Sequence, residues 1–87
     1  MPAKAIHISG HARFEMGRRG ISVASITRMI RSPGQVLSSG KGRRIYQGLI
    51  GRARRLLLRV IVKEDARAYH VVTAYKTNQI AKYWRKP

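Results

Sequence analysis

Hydrophobic and polar positions recur along this chain in two rhythms, and the rhythm changes near Gly34. Between Val23 and Arg31, apolar Val23, Ile26, Met29 and Ile30 fall on one face at helical spacing. Ser22 stands where an N-cap is wanted, and Ser32-Pro33-Gly34 supplies a stop. Upstream, residues 10–19 (GHARFEMGRR) read as an earlier helix capped by Ser9. Arg18 and Arg19 fall in its last turn, where cations favour the helix dipole, and Gly20 suits the left-handed position beyond it. Ala5–Ile8 forms a short strand or extended lead-in.

From Gln35 onward the period drops to two. QVLSS is a short strand, Gly40-Lys41-Gly42 a turn, and RRIYQGLI a second strand. Gly51–Arg54 makes a basic turn. RLLLRVIVK is the strongest strand signal, with Leu56, Leu58, Val60 and Val62 on one face and Leu57, Arg59, Ile61 and Lys63 on the other. KEDAR reads as a polar turn and AYHVVTAYK as the next strand. Strict alternation along AYHVVTAYK puts Thr73 and Tyr75 with Tyr69 and Val71, and His70 with Val72 and Ala74. Ile80, Tyr83 and Trp84 then suit a short packed helix.

Short connections favour an antiparallel meander. The expectation is one α+β domain over residues 1–87: two N-terminal helices packed on a three- to four-stranded antiparallel sheet, with a short C-terminal helix. One sheet face packs on the helices and the other is free for a ligand.

Composition narrows the function. Without cysteine there are no disulfides, iron–sulfur clusters or cysteine zinc sites, and three histidines with three carboxylates argue against a dedicated metal site. No cofactor is expected. The longest apolar run, Leu56–Leu58, stops at Arg59, and MPAKAIHISGHA lacks a signal-peptide core. These readings point to a cytoplasmic protein, or one delivered into another cell's cytoplasm. Lys+Arg 19 against Asp+Glu 3 leaves a net charge of +16. Like charges at this density destabilise a compact state, so a polyanionic partner is expected, nucleic acid first and an acidic protein second.

HARFEMGRRGIS, positions 11–22, resembles the H-A-x-x-E/R-M-x-x-x-G-I-S opening of a small bacterial family of unassigned function. GRRIYQG, LRVIV and VVTAYKTNQIAKYW resemble its later blocks, and the likeness spans roughly residues 6–84. That family is similar to RelE/BrnT-like toxins of the wider barnase–EndoU–colicin–RelE ribonuclease group. The resemblance implies a RelE/barnase-like fold with two helices on a four-stranded sheet. It also implies metal-independent RNA cleavage and an antitoxin that neutralises it. RNA, an acidic antitoxin and the ribosome are the partners it suggests.

Cleavage of this kind uses the ribose 2′-hydroxyl as nucleophile, so the protein moves two protons and stabilises charge on phosphorus. His11 is the first candidate, one helical turn from Glu15, which could hold its proton; the competing reading pairs Glu15 with Arg19. Arg59 interrupts an apolar strand and should face the open side of the sheet, where a phosphate could sit. Thr73 and Tyr75 complete the catalytic set, with cross-strand packing as their competing role. Arg18, Arg43, Arg44, Thr77 and Lys82 are candidate RNA-binding residues. His7 and His70 read as packed or edge histidines, and Tyr83 and Trp84 as core anchors. A toxin-type endoribonuclease is the leading expectation, and a non-catalytic basic nucleic-acid-binding module the alternative.

Overall fold

Ser9 and Ser22 cap the two helices. In a computed structural model describing residues 4–86, Ser9 Oγ accepts from the Ala12 N–H and Ser22 Oγ from the Ser25 N–H, each at 3.0 Å. Helix α1 (Gly10–Arg18) ends where Gly20 turns left-handed at φ 65°. There Ile21 N–H returns to Met16 C=O at 2.9 Å and Gly20 N–H to Gly17 C=O at 3.3 Å, which satisfies the last carbonyls. Helix α2 (Val23–Arg31) follows and buries Ile26, Met29 and Ile30.

The strands are β1 (Ala5–Ile8), β2 (Gln35–Ser38), β3 (Arg43–Ile50), β4 (Leu56–Glu64) and β5 (Ala68–Thr77), with a 3-10 turn at Arg52–Arg54 and a short helix α3 (Ile80–Tyr83). They form one sheet in the order β1-β5-β4-β3-β2. The meander β2 to β5 is antiparallel, but β1 pairs parallel with β5 along Ala5–Ile8 and Ala68–Val71. The α+β class is therefore as expected, while the three- to four-stranded antiparallel sheet is corrected to a five-stranded mixed one. Short loops report only which sequence neighbours pair. The β1 partner lies some sixty residues away, across both helices and three strands, so loop length says nothing about it.

Central strand β4 is the most buried, with Leu57, Leu58, Val60 and Val62 fully inaccessible. Leu58, Val60 and Val62 meet Ala12, Met16, Ile26, Met29 and Ile30 of the helices, together with Val71 and Ala74. Each such aliphatic side chain contributes about 1.5–3 kcal/mol when taken from water.

The opposite face is not free along its whole length. After β5 the chain folds back, and residues 78–86 cross the sheet where Gln35, Gln47, Arg59 and Tyr75 lie side by side. A Cβ built on Gly34 would stand 2.9 Å from the Trp84 ring and 3.2 Å from the Gln47 carbonyl oxygen, so the tail fits closely over the start of β2.

One irregularity in β5 decides which side chains share a face. The register slips between Ile61 and Val62: Ile61 stands opposite Thr73 and Val62 opposite Val71, leaving Val72 as a bulge. Lys63, Ile61 and Arg59 alternate along one side of β4, so their partners His70, Thr73 and Tyr75 share that side. Strict alternation had put His70 opposite Thr73 and Tyr75, and had grouped those two with Tyr69 and Val71. The bulge reverses both assignments and carries Tyr69, Val71 and Ala74 to the helix side.

Candidate nucleic-acid interface

The face away from the helices is built in transverse rows. Gln35, Gln47, Arg59 and Tyr75 form the covered row. Arg59 is only 8% exposed and Gln47 is fully buried. Arg59 Nε donates to Gln47 Oε1 at 2.9 Å, and Arg59 Nη1 donates to the Tyr75 hydroxyl. Gln47 Nε2 donates to Gln35 Oε1 at 2.8 Å and to the Tyr83 carbonyl at 3.1 Å. Tyr83 lies over the guanidinium at 4.2 Å, and Tyr75 meets Tyr83 edge-on at 6.4 Å. A buried cation is tolerated when its donors are used and an aromatic face is offered. Arg59 and Tyr75 are thus brought together, under a cover that makes them a clamp for the C-terminal segment.

Next to this lies a half-buried row of Leu37, Ile45, Ile61 and Thr73. Beyond it is an exposed row of Arg43, Lys63, His70 and His7, one from each of β3, β4, β5 and β1. The imidazoles of His7 and His70 stack with centres 5.4 Å apart and planes 18° apart. His70 Nε2 is 3.1 Å from Asp65 Oδ2. Asp65 is held below the usual carboxylate range by the N–H groups of Arg67 and Ala68, at 2.8 and 2.9 Å, and by His70.

His11 and Glu15 sit elsewhere, on α1, which packs on the other side of the sheet. The His11 side chain is 74% exposed and its Nε2 is 4.0 Å from Glu15 Oε1. Glu15, 14% exposed, is approached by Arg19 at 3.2 Å and Arg18 at 3.6 Å. Arg19 also reaches the uncovered part of the β5 edge, donating to the Ala74 carbonyl at 2.8 Å and to Thr73 Oγ1 at 3.3 Å. Arg19 therefore links Glu15, and through it His11 and Arg18, to Thr73 around the free part of the β5 edge, while His11, Glu15 and Arg18 themselves stay on the helix side, away from the Arg59 row.

Arg43 and Arg44 line a cavity of about 580 Å³ with Lys4, Glu64 and Asp65. There Glu64 accepts from Lys4 Nζ at 2.8 Å and from the Tyr46 hydroxyl. Burial pushes the Glu64 carboxyl upward, yet those two hydrogen bonds outweigh it and hold the group below its ordinary range. Burial, followed by the bond to Glu64, pushes the Tyr46 phenol well above its own range. Thr77 Oγ1 accepts from the Gln79 N–H at 3.0 Å, and Lys82 Nζ lies 5.3 Å from the Tyr83 ring.

The sequence pattern pairs neither Gln47 nor Tyr83 with Arg59, and does not bring Lys63, His70 and His7 into one row. A glutamine in mid-strand is a detectable signal, but its match to Arg59 needs the register. No family model, curated protein or solved structure matches the chain.

Proposed function

We propose that the protein binds RNA on the uncovered end of its sheet and cleaves it without a metal, in the manner of a toxin-type endoribonuclease. The observation that carries this reading is the exposed row Arg43–Lys63–His70–His7 beside the half-apolar row Leu37–Ile45–Ile61–Thr73. Cations there meet phosphates, and the apolar strip offers bases a surface to rest on. The three carboxylates do little to cancel the field. Glu15 is engaged by Arg18 and Arg19, Glu64 by Lys4, and Asp65 by His70. A net charge of +16 also suits an acidic antitoxin, which would compete with RNA for the same row, and an RNA-bearing ribosome.

The second reading is a non-catalytic RNA-binding module. It is favoured by the separation of His11 and Glu15 from the Arg59–Tyr75 pair, in which Arg59 Nε and Nη1 are engaged by Gln47 and Tyr75 beneath the Tyr83 ring. Incubating the purified chain with mixed-sequence RNA separates the two. Cleavage to 2′,3′-cyclic phosphate ends supports the first, whereas tight, salt-sensitive binding of RNA that stays whole supports the second.

A further inference from the structure

We propose that His7 and His70 are the acid–base pair of the RNA-cleaving site, a deepening that rests on the endoribonuclease reading above. The two rings come from neighbouring strands, parallel β1 and β5, and face each other at 5.4 Å on the exposed row. They line a cavity of about 440 Å³ with Asp65, Ala66, Arg67 and Ala68. That volume falls within the roughly 300–1,000 Å³ typical of ligand sites.

Asp65 is fixed by two backbone N–H groups, and its Oδ2 in turn accepts a hydrogen bond from His70 Nε2–H at 3.1 Å. This sets the tautomer and leaves Nδ1 of a neutral His70 as the proton acceptor. Lys63 stands directly across from His70, and Arg43 across from Lys63. Imidazole pairs also suit transition metals, but Lys63 across from His70 and Arg67 on the cavity wall, with Arg43 one strand further, outnumber the single carboxylate, Asp65, beside this pair. That field repels a metal cation and draws a phosphodiester.

The step balances without a co-reactant. One neutral imidazole removes the 2′-hydroxyl proton as that oxygen bonds to phosphorus. The second, protonated imidazole gives its proton to the 5′-oxygen as the phosphorus–oxygen bond breaks. A 2′,3′-cyclic phosphate and a 5′-hydroxyl result, and Lys63 stabilises the added charge on the phosphorane.

The test uses the full chain, a fluorescent mixed-sequence RNA and its all-2′-deoxy counterpart. The RNA should be cut and the deoxy strand bound but left whole. His7→Gln and His70→Gln should each slow single-turnover cleavage about 100-fold or more, with the RNA dissociation constant changed less than about threefold. The wild-type rate should fall on both sides of a pH optimum, and each variant should lose one limb. Both side chains are exposed, so folding should survive, as circular dichroism would verify. Undiminished cleavage in both variants, or cleavage abolished only by His11→Ala, overturns the pair while the endoribonuclease reading stands. RNA that is bound but never cut overturns both.

Discussion

The guanidinium carbon of Arg59 lies 4.2 Å from the centre of the Tyr83 ring, which ties the central strand to the C-terminal segment. Arg59→Met should strip the Gln47 side-chain oxygen of its donor and free the Tyr75 hydroxyl. A buried polar group left without its partner costs about 1–3 kcal/mol. Urea denaturation should show that loss. Emission from the single tryptophan, Trp84, should shift to the red as the segment loosens. RNA affinity at fixed salt should hardly change, and a large drop would return Arg59 to the role of phosphate ligand.

Arg43 and Lys63 occupy neighbouring positions of the exposed row and have no carboxylate across from them in the register. Replacing both with Ala should weaken RNA binding with little sequence preference. The slope of log affinity against log salt should flatten by about 1.4, two single-strand contacts at roughly 0.7 each. Fluorescence anisotropy across a salt series measures it, and an unchanged slope would place the RNA on another surface.

Gly34 is sterically committed. A methyl group there would meet the Gln47 carbonyl oxygen at 3.2 Å and the Gly48 Cα at 3.4 Å, both backbone, besides the Trp84 ring at 2.9 Å. Gly34→Ala should therefore destabilise the fold by about 1–3 kcal/mol, the usual range for overpacking. Combining it with Trp84→Ala should recover only part of the loss, because the backbone clash stays. Chemical denaturation of both variants tests this.

Glu64 makes stability depend on acid. Its folded value lies below its ordinary value of 4.5, so the stabilisation is present above that value. It is lost as pH falls through the lower, folded value. Wild type should melt higher than Glu64→Gln near neutrality, and the gap should close as the pH falls below 4.5. A gap that persists in strong acid would show that the carboxylate charge is not what holds Lys4 and Tyr46 in place.

Much of this architecture was readable from local pattern. Ser9, Ser22 and Gly20 mark helix ends because their chemistry acts within a few residues. Leu58, Val60 and Val62 mark a buried strand face because alternation is also local. The candidate site was less legible. Arg59 could be placed on the face away from the helices, but nothing near it in sequence announces that Gln47 will accept from its Nε and that the Tyr83 ring will lie over its guanidinium.

The amino-acid order alone determined the helices, the strands of the meander, the apolar side of β4 and the excess of cations, because each depends on neighbours a few positions apart. Tertiary structure decided the parallel seat of β1, the bulge at Val72 and the fold-back of the tail over Arg59. It also decided the meeting of His7 with His70. Those depend on which distant segments find one another and on a one-residue slip that turns side chains to the other face, a choice made by the packed sheet as a whole.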